Sequence, residues 1–147
     1  QEITHGKMGK YALPDDKGVI EVIAGEYKGV KGPAYTFTPM HVYNARLKKN
    51  ASVEINFPSD YNTALLIVEG GATINGENVN ADHFVLMKND GEEISIQAND
   101  DSVILILSGE PINEPIAAYG PFLMNTWQEV EQAIQDVNAG KFGFLEN

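Results

Sequence analysis

The three histidines are the residues of this chain best suited to chemistry, because imidazole acts both as a general base and as a metal ligand near neutral pH. His5 lies in a polar arm, whereas His41 and His83 fall in predicted strands. Barrels that bind iron, manganese or zinc use closely spaced histidines on adjacent strands, together with a carboxylate. These histidines are far apart in the sequence and form no His-x-His pair. We therefore expect scattered structural or surface histidines, and no metal or other cofactor in this chain.

Other patterns that support chemistry in proteins are also weak here. The acidic pairs Asp15-Asp16, Glu92-Glu93 and Asp100-Asp101 adjoin turn residues, where we expect them to be solvated rather than to act as acid and base. The glycine-rich stretch 25–33 contains two lysines, but Pro33 and a β-like segment follow it, whereas a phosphate-binding loop leads into a helix. We therefore predict no catalytic residue in this chain.

The composition narrows the classes of partner. The chain has 147 residues, 10 of them basic and 21 acidic, so its net charge is −11, and it has no cysteine. This charge argues against direct binding of nucleic acid or of an anionic membrane surface. No apolar run approaches the roughly 18 residues that cross a bilayer, and no basic-then-apolar leader opens the sequence. We expect a cytoplasmic protein of one domain.

The elements that must position these residues are mostly short β-strands. From Gly18 to Gly109, apolar segments alternate with turn residues at a spacing of roughly ten residues. The dipeptide Asn75-Gly76 is typical of a hairpin, because both residues tolerate positive φ. Little helix separates the strands, which indicates an antiparallel sandwich or barrel. The predicted strands are 19–24, 36–47 with an interruption at Pro39, 52–57, 63–69, 72–75, 84–87, 93–97 and 103–107.

The C-terminal region changes from strand to helix periodicity. Apolar residues recur on one helical face, and Thr126 with Glu129 fits a capping box, in which each side chain satisfies an unpaired amide of the other residue. Gly140 is well placed to end this helix in the left-handed conformation. The apolar positions of the predicted face are Trp127, Val130, Ala133, Ile134 and Val137.

The closing segment, Glu110–Asn125, combines three prolines with several large apolar residues. A plain surface loop would not carry so many apolar side chains, which must pack either on the chain's own barrel or on a partner. The sequence leaves both alternatives open. If a partner binds here, the candidate interface consists of Glu110, Ile112, Asn113, Glu114, Ile116, Tyr119, Phe122, Met124 and Trp127.

Two long motifs resemble those of the pirin family. Gly109–Asn125, leading into Thr126–Glu129, resembles the C-terminal hallmark of pirins, and Ile23–Ala34 resembles the motif that begins their C-terminal cupin domain. The closing residues Ala139–Gly143 also fit, and the resemblance extends from about Leu13 onward. It implies an all-β, cupin-type antiparallel β-sandwich or barrel, known as a double-stranded β-helix, with one C-terminal α-helix.

The resemblance also implies a division of labour. Pirins are bicupins, in which three histidines and one glutamate hold iron in the N-terminal cupin, and quercetinase-like dioxygenase activity is placed there. This chain is similar to the second cupin. Residues Asp60–Thr63 stand where a metal cupin would supply its first histidines, so no metal ligand carries over. Iron is expected only in an N-terminal cupin, and the expected partner is that half or a second copy of this chain in a homodimer.

These patterns suggest a division of the chain and three functions. We expect an N-terminal arm at 1–17, a cupin barrel at 18–109, the closing segment at 110–125, and a helix and tail at 126–147. The first hypothesis is a scaffold and interaction half without its own metal. The second is part of a flavonol 2,3-dioxygenase, and the third is a non-catalytic barrel that binds a small molecule. The candidate pocket residues are Tyr43, Arg46 and His83.

Overall fold

Short alternating segments form two antiparallel sheets in the first of two compact units. The structure is a computed structural model that describes residues 1–143. The first unit covers Gln1–Pro111, and the second begins at Ile112. Within the first unit, single turns of 3-10 helix at His5–Lys7 and Pro14–Asp16 precede or separate the early strands. The strands are β1 (Gly9–Ala12), β2 (Gly18–Ala24), β3 (Glu26–Tyr27), β4 (Val30–Lys31), β5 (Met40–Leu47), β6 (Ser52–Asn56), β7 (Asn62–Glu69), β8 (Gly71–Ile74), β9 (Glu77–Asn80), β10 (His83–Leu86), β11 (Glu93–Ala98) and β12 (Ser102–Gly109).

The two main sheets enclose one apolar core. The larger sheet has the strand order β1-β2-β5-β12-β7-β10, and the smaller has the order β6-β11-β8-β9. Side chains alternate between the two faces of a strand, so every second residue of the larger sheet points inward. In β12, for example, Ile104 and Ile106 are fully buried while Leu105 and Leu107, on the outer face, are half-buried. This alternation gives the larger sheet an inner face in the core and a separate outer face.

The predicted strands agree with the observed ones, with differences at local breaks. The predicted strand 36–47 begins only at Met40, because Pro39 cannot donate a ladder hydrogen bond. The predicted hairpin is present between β8 and β9, where Asn75 and Gly76 have φ of 46° and 87°. Short strands that the sequence pattern did not predict are β1, the β3–β4 pair and β9. Each has four residues or fewer and at most two apolar side chains, so no run of apolar residues marks it in the sequence.

The second unit contains a small hairpin and a helix. Strands β13 (Ala117–Tyr119) and β14 (Phe122–Met124) pair in antiparallel fashion, and helix α1 (Trp127–Asn138) follows. The predicted capping box is present between Thr126 and Glu129, and these hydrogen bonds lower the pKa of the Glu129 carboxyl. Val130 and Ala133 are the buried residues of α1. Within the described residues, no helix has the length and apolar character needed to cross a membrane.

Candidate functional site

Aromatic rings surround His41, which is the half-buried histidine of the first unit. His41 lies on β5, and its ring centroid is 5.8 Å from that of Tyr43, 5.1 Å from that of Phe57 and 6.3 Å from that of Tyr61. Phe57 follows β6 and Tyr61 precedes β7, so loops between the two sheets bring these rings together. We call His41, Tyr43, Phe57 and Tyr61 the aromatic cluster. The sequence pattern gave no sign of it, because its members come from two separate segments, β5 and the loop between β6 and β7.

Hydrogen bonds fix the protonation pattern of His41. The Tyr43 hydroxyl lies 2.6 Å from the backbone carbonyl of Glu26 and 2.9 Å from Nδ1 of His41. A carbonyl only accepts, so Tyr43 donates its single proton to Glu26, and the Nδ1–H of His41 donates to the Tyr43 oxygen. Burial lowers the pKa of His41 and raises that of Tyr43 strongly. Near neutral pH, His41 is therefore a neutral imidazole with its proton on Nδ1.

A glycine allows His41 to pack this closely against the backbone. Gly25 has φ of +74°, and a Cβ built there would lie 2.5 Å from Nδ1 of His41 and 2.6 Å from the Met40 carbonyl oxygen. Both the left-handed backbone and the missing space exclude a side chain. Beside His41 lies a hollow of about 450 Å³, lined by residues that include Glu26, Ala34, Tyr35, Met40 and His41.

A second set of rings lies behind the first. Tyr27 is buried, and its ring packs edge-on against Tyr11 at 5.2 Å and Tyr43 at 5.7 Å. Its hydroxyl has no hydrogen-bond partner among the described residues. Burial raises the pKa of Tyr27, and the nearby ammonium group of Lys28 offsets part of that rise. Lys28 Nζ lies 5.4 Å from the Tyr27 ring centroid and 5.5 Å from that of Tyr11, within range of a cation–π attraction.

The three histidines lie in three separate environments. The Nδ1–H of His83 donates to the Ala81 carbonyl at 2.9 Å, and His5 faces Glu21 and Lys10 on another side of the molecule. Across residues 1–143, no three histidine, aspartate or glutamate side chains cluster closely enough to hold a metal ion. The Nδ1 atom of His41 is occupied by Tyr43, and the rings beside it offer no carboxylate. These residues do not fit an iron site of three histidines and a glutamate.

The structure does not bring the three predicted pocket residues together. Tyr43 is buried in the core, whereas Arg46 lies on the opposite face of the same strand. His83 is exposed on β10, an edge strand of the larger sheet. Of the three, Tyr43 alone belongs to the aromatic cluster, and the histidine beside the hollow is His41 and not His83.

A buried carboxylate on the outer face was missed by the sequence analysis. The Glu21 side chain is 2% exposed. Its Oε2 accepts from Nδ2 of Asn44 at 2.7 Å and from Nε of Arg46 at 3.2 Å, while its Oε1 lies 3.1 Å from Nδ1 of His5. Nζ of Lys10 donates to the other nitrogen of His5 at 2.9 Å. The available signal was a single glutamate within the apolar run Gly18–Ala24.

The predicted interface residues are largely exposed. Asn125 Nδ2 donates to Glu114 Oε2 at 2.6 Å, and this hydrogen bond links the last residue of the closing segment to its first third. Ile116 is 80% exposed. The half-buried residues are Phe122 and Met124, and the exposed ones are Glu110, Ile112, Asn113, Glu114, Ile116, Tyr119 and Trp127.

Comparison with known proteins identifies the relatives of this chain. The family described as "Pirin C-terminal cupin domain" matches residues 42–143. A crystal structure of quercetin 2,3-dioxygenase from Acinetobacter baumannii is 36% identical, with a TM-score of 0.89, and the match covers 99% of this chain and 51% of that one. Pirin of Homo sapiens is 30% identical over 94% of this chain and 50% of its own length. A pirin-like protein of Solanum lycopersicum is 35% identical over 98% of this chain and 50% of its own length.

These similarities confirm the predicted fold and resemblance. The first unit has the antiparallel architecture of a cupin, and the second contributes the C-terminal helix. The chain spans about half the length of the curated relatives that it matches. The matching half is the C-terminal one, as the family description states.

Proposed function

The chain belongs to the pirin family as its C-terminal cupin domain, and from this premise we propose that it is the metal-free, supporting half of a quercetinase-like bicupin. The observation that carries the proposal is the aromatic cluster around His41. His41 is enclosed by rings and its Nδ1 atom is bonded to Tyr43, so the cluster offers a metal ion one imidazole nitrogen and no carboxylate. The similarity to a quercetin 2,3-dioxygenase supports the reaction class of the whole assembly.

The two halves have different tasks in this proposal. An N-terminal cupin would hold iron, which supplies the oxygen-activating chemistry. The present chain contributes a rigid barrel and surfaces that the other half contacts. The exposed apolar residues of the closing segment support a contact role, since isolated domains rarely leave many large apolar side chains uncovered.

Metal analysis of the purified chain is the direct test. We expect far less than one iron per chain after purification with Fe(II) supplied, because one neutral imidazole nitrogen cannot form an iron site. His41→Ala is the matched variant, and it should leave the iron content unchanged. One tightly bound iron per chain that disappears in His41→Ala would overturn the proposal.

Activity is tested in a two-domain protein. The C-terminal half of the Acinetobacter baumannii quercetin 2,3-dioxygenase is exchanged for this whole chain, and quercetin consumption is followed by absorbance. We expect turnover by this chimera and none by the present chain alone. Quercetin turnover by the present chain alone would show that this half performs the reaction, and it would overturn the proposal.

A second function, small-molecule binding without catalysis, is favoured by the hollow beside His41. Its volume of about 450 Å³ lies in the range of ligand sites, and it offers an imidazole next to exposed aromatic surface. Thermal unfolding with quercetin or small organic acids tests it. A ligand that raises the melting temperature of the wild type but not of Ala34→Trp, which fills the hollow, would support binding there. No shift with any of these compounds would reject it.

A further inference from the structure

A cluster of ionisable side chains at the β1 edge of the larger sheet has no part in the proposed function. Lys10 of β1 lies directly opposite Glu21 of β2, which in turn lies opposite Asn44 of β5. Residues that face each other across antiparallel strands project from the same side of the sheet, so these three side chains form a row. His5, in the 3-10 turn that precedes β1, contacts both Lys10 and Glu21. The cluster therefore brings together an amine, an imidazole and a carboxylate.

The hydrogen bond between Lys10 and His5 has only one possible direction. Nζ of Lys10 lies 2.9 Å from Nε2 of His5. An ammonium group only donates hydrogen bonds, so Nε2 accepts this one through its lone pair. In this arrangement His5 is a neutral imidazole with its proton on Nδ1. Its Nε2 atom is thus placed to take a proton from the Lys10 ammonium group.

The Glu21 carboxylate supports the other side of the His5 ring. Its Oε1 lies 3.1 Å from Nδ1 of His5, and the Glu21 side chain is 2% exposed. Asn44 and Arg46 bind the second oxygen, Oε2, at 2.7 Å and 3.2 Å, and so hold the carboxylate in one orientation. A negative charge at this position stabilises the positive charge that the ring acquires when Nε2 takes a proton.

The segment that carries His5 is anchored on both sides. Nε2 of Gln1 donates to the Tyr35 carbonyl at 2.7 Å, and the Tyr35 backbone N–H donates to Oε1 of Gln1 at 2.8 Å. On the other side of His5, β1 pairs with β2. The cluster nevertheless stays open to solvent, because Lys10 is exposed and the His5 side chain is 63% exposed. A small reagent in solution can therefore reach the amine.

Other lysines of the first unit lie in surroundings that do not activate an amine. Nζ of Lys49 lies 3.3 Å from Oδ1 of Asp100, and a carboxylate stabilises the charged ammonium form, which is not nucleophilic. Lys88 is exposed to solvent and represents an ordinary surface lysine. Within residues 1–143, Lys10 is the lysine that bonds an imidazole.

We propose that Lys10 is a modification site, a nucleophilic lysine that takes an acyl group from an activated acyl compound such as an acyl phosphate or a thioester. His5 is the base, and Glu21 is the positioning residue behind it. A nucleophile within hydrogen-bond reach of a base, which a third group orients, is the arrangement that activates nucleophiles in proteins. The modification needs no second cupin half, so it stands apart from the proposed function.

The acyl transfer balances with the groups present. Lys10 gives one proton to Nε2 of His5, and the resulting amine forms a C–N bond to the acyl carbonyl. The C–O bond of the acyl phosphate, or the C–S bond of the thioester, then breaks. The leaving group departs with the bonding electron pair and takes the proton from His5, while the new amide nitrogen releases a second proton to water. The product is a neutral amide, so the modification removes one positive charge from the row.

Acetyl phosphate is the probe for the test. The folded chain is incubated with it, and peptide mass spectrometry measures the acetylation rate of each lysine. We expect Lys10 to react about tenfold faster than Lys88, because a positioned base raises the share of reactive amine. His5→Gln should slow Lys10 to about the rate of Lys88, since the base is lost. Glu21→Gln, which keeps the shape of the side chain but removes its charge, should give an intermediate rate.

Controls separate activation from simple accessibility. His83→Gln removes an exposed histidine on another strand, and it should leave the rate at Lys10 unchanged. Circular dichroism checks that each variant is folded, and His5→Gln, at an exposed position, decides the test if Glu21→Gln unfolds the chain. The proposal is overturned if Lys10 reacts no faster than Lys88, or if His5→Gln leaves the rate at Lys10 unchanged.

A second acyl donor shows whether the lysine or a bound reagent sets the selectivity. With acetyl-coenzyme A, a thioester, we expect the same preference for Lys10 and the same loss in His5→Gln, because the base acts on the amine and not on the donor. A preference for Lys10 with acetyl-coenzyme A but none with acetyl phosphate would overturn the proposal, since binding of the coenzyme would then select the lysine.

Discussion

The aromatic cluster and the outer face of the larger sheet show the reverse of the polarity that a metal-bearing barrel needs. Such a barrel places polar metal ligands in its interior and has a polar outer surface. Here rings pack around His41 on the inside, and exposed apolar side chains occupy the outside near Leu86. The difference shows that a cupin barrel can fill its interior with packed side chains and still expose apolar side chains on its outer surface.

The largest loss in the free energy of unfolding is expected when the Tyr43 ring is removed from the aromatic cluster. Tyr43→Ala deletes a fully buried ring and both of its hydrogen bonds, so we expect a loss of about 3–5 kcal/mol in the free energy of unfolding. Tyr43→Phe keeps the ring and should cost only about 1–3 kcal/mol, through the unpaired Glu26 carbonyl and the His41 Nδ1–H. Urea unfolding measures both. Equal losses would show that the hydrogen bonds, rather than the rings, hold the interior.

On the outer side, the buried carboxylate is the sensitive point. Glu21→Ala leaves Asn44 and Arg46 without their acceptor, and we expect a loss of about 1–3 kcal/mol in urea unfolding. Lys10→Ala is the matched control, because Lys10 pairs with Glu21 across β1 and β2 but its exposed ammonium group bonds His5 and not the Glu21 carboxylate. If Glu21→Ala cost no more than Lys10→Ala, the outer face of the larger sheet around Glu21 would be an ordinary solvated surface.

A smaller, pH-dependent effect should come from His41. Burial lowers its pKa in the folded state below the ordinary value of 6.5, so the unfolded chain binds the proton first as the pH falls. The folded state keeps its full stability above pH 6.5 and loses part of it as the pH falls from there through the lowered pKa. His41→Gln should flatten this part of the profile in urea titrations. If the loss of stability below pH 6.5 were steeper in His41→Gln than in the wild type, His41 would not be the group responsible for it.

The smallest effect on the free energy of unfolding is expected at exposed positions on the outer face of the larger sheet. Phe84→Ser should change the free energy of unfolding by no more than about 0.5 kcal/mol, because the side chain is already exposed. Its solubility should rise, since an apolar patch is removed. Ile104→Ser, at a fully buried position on the inner face, is the contrasting variant and should unfold far more easily. A large destabilisation in Phe84→Ser would mean that this face is already covered within the chain.

The fold could be predicted well because it depends on local periods. Ser52–Asn56 alternates in its sequence and in its burial, and Thr126 with Glu129 fixes the start of the helix. Short strands such as β1 escaped prediction because few apolar residues mark them, and pairing with β2 then incorporates β1 into the larger sheet. Tertiary pairing, which no window of sequence contains, decides such cases.

The candidate site was harder to predict because its members are distant in sequence. Tyr43 and Arg46 are near neighbours on one strand, but three positions along a strand lead to opposite faces. His41 was visible as a histidine in a strand, but the rings of Phe57 and Tyr61 come from one loop whose course the strand pattern does not specify. The strand 63–69 is almost continuously apolar and so does not mark its outer face in the sequence, where Val68 is exposed.

Trp127 gives the chain an optical asymmetry. It is the sole tryptophan of the sequence, and it begins helix α1 of the second unit with most of its surface exposed. Indole emission therefore reports on the second unit, while the far-ultraviolet strand signal comes mostly from the first. Two melting curves recorded on one sample, one by fluorescence and one by circular dichroism, will coincide if the units unfold as a single cooperative body and diverge if they do not.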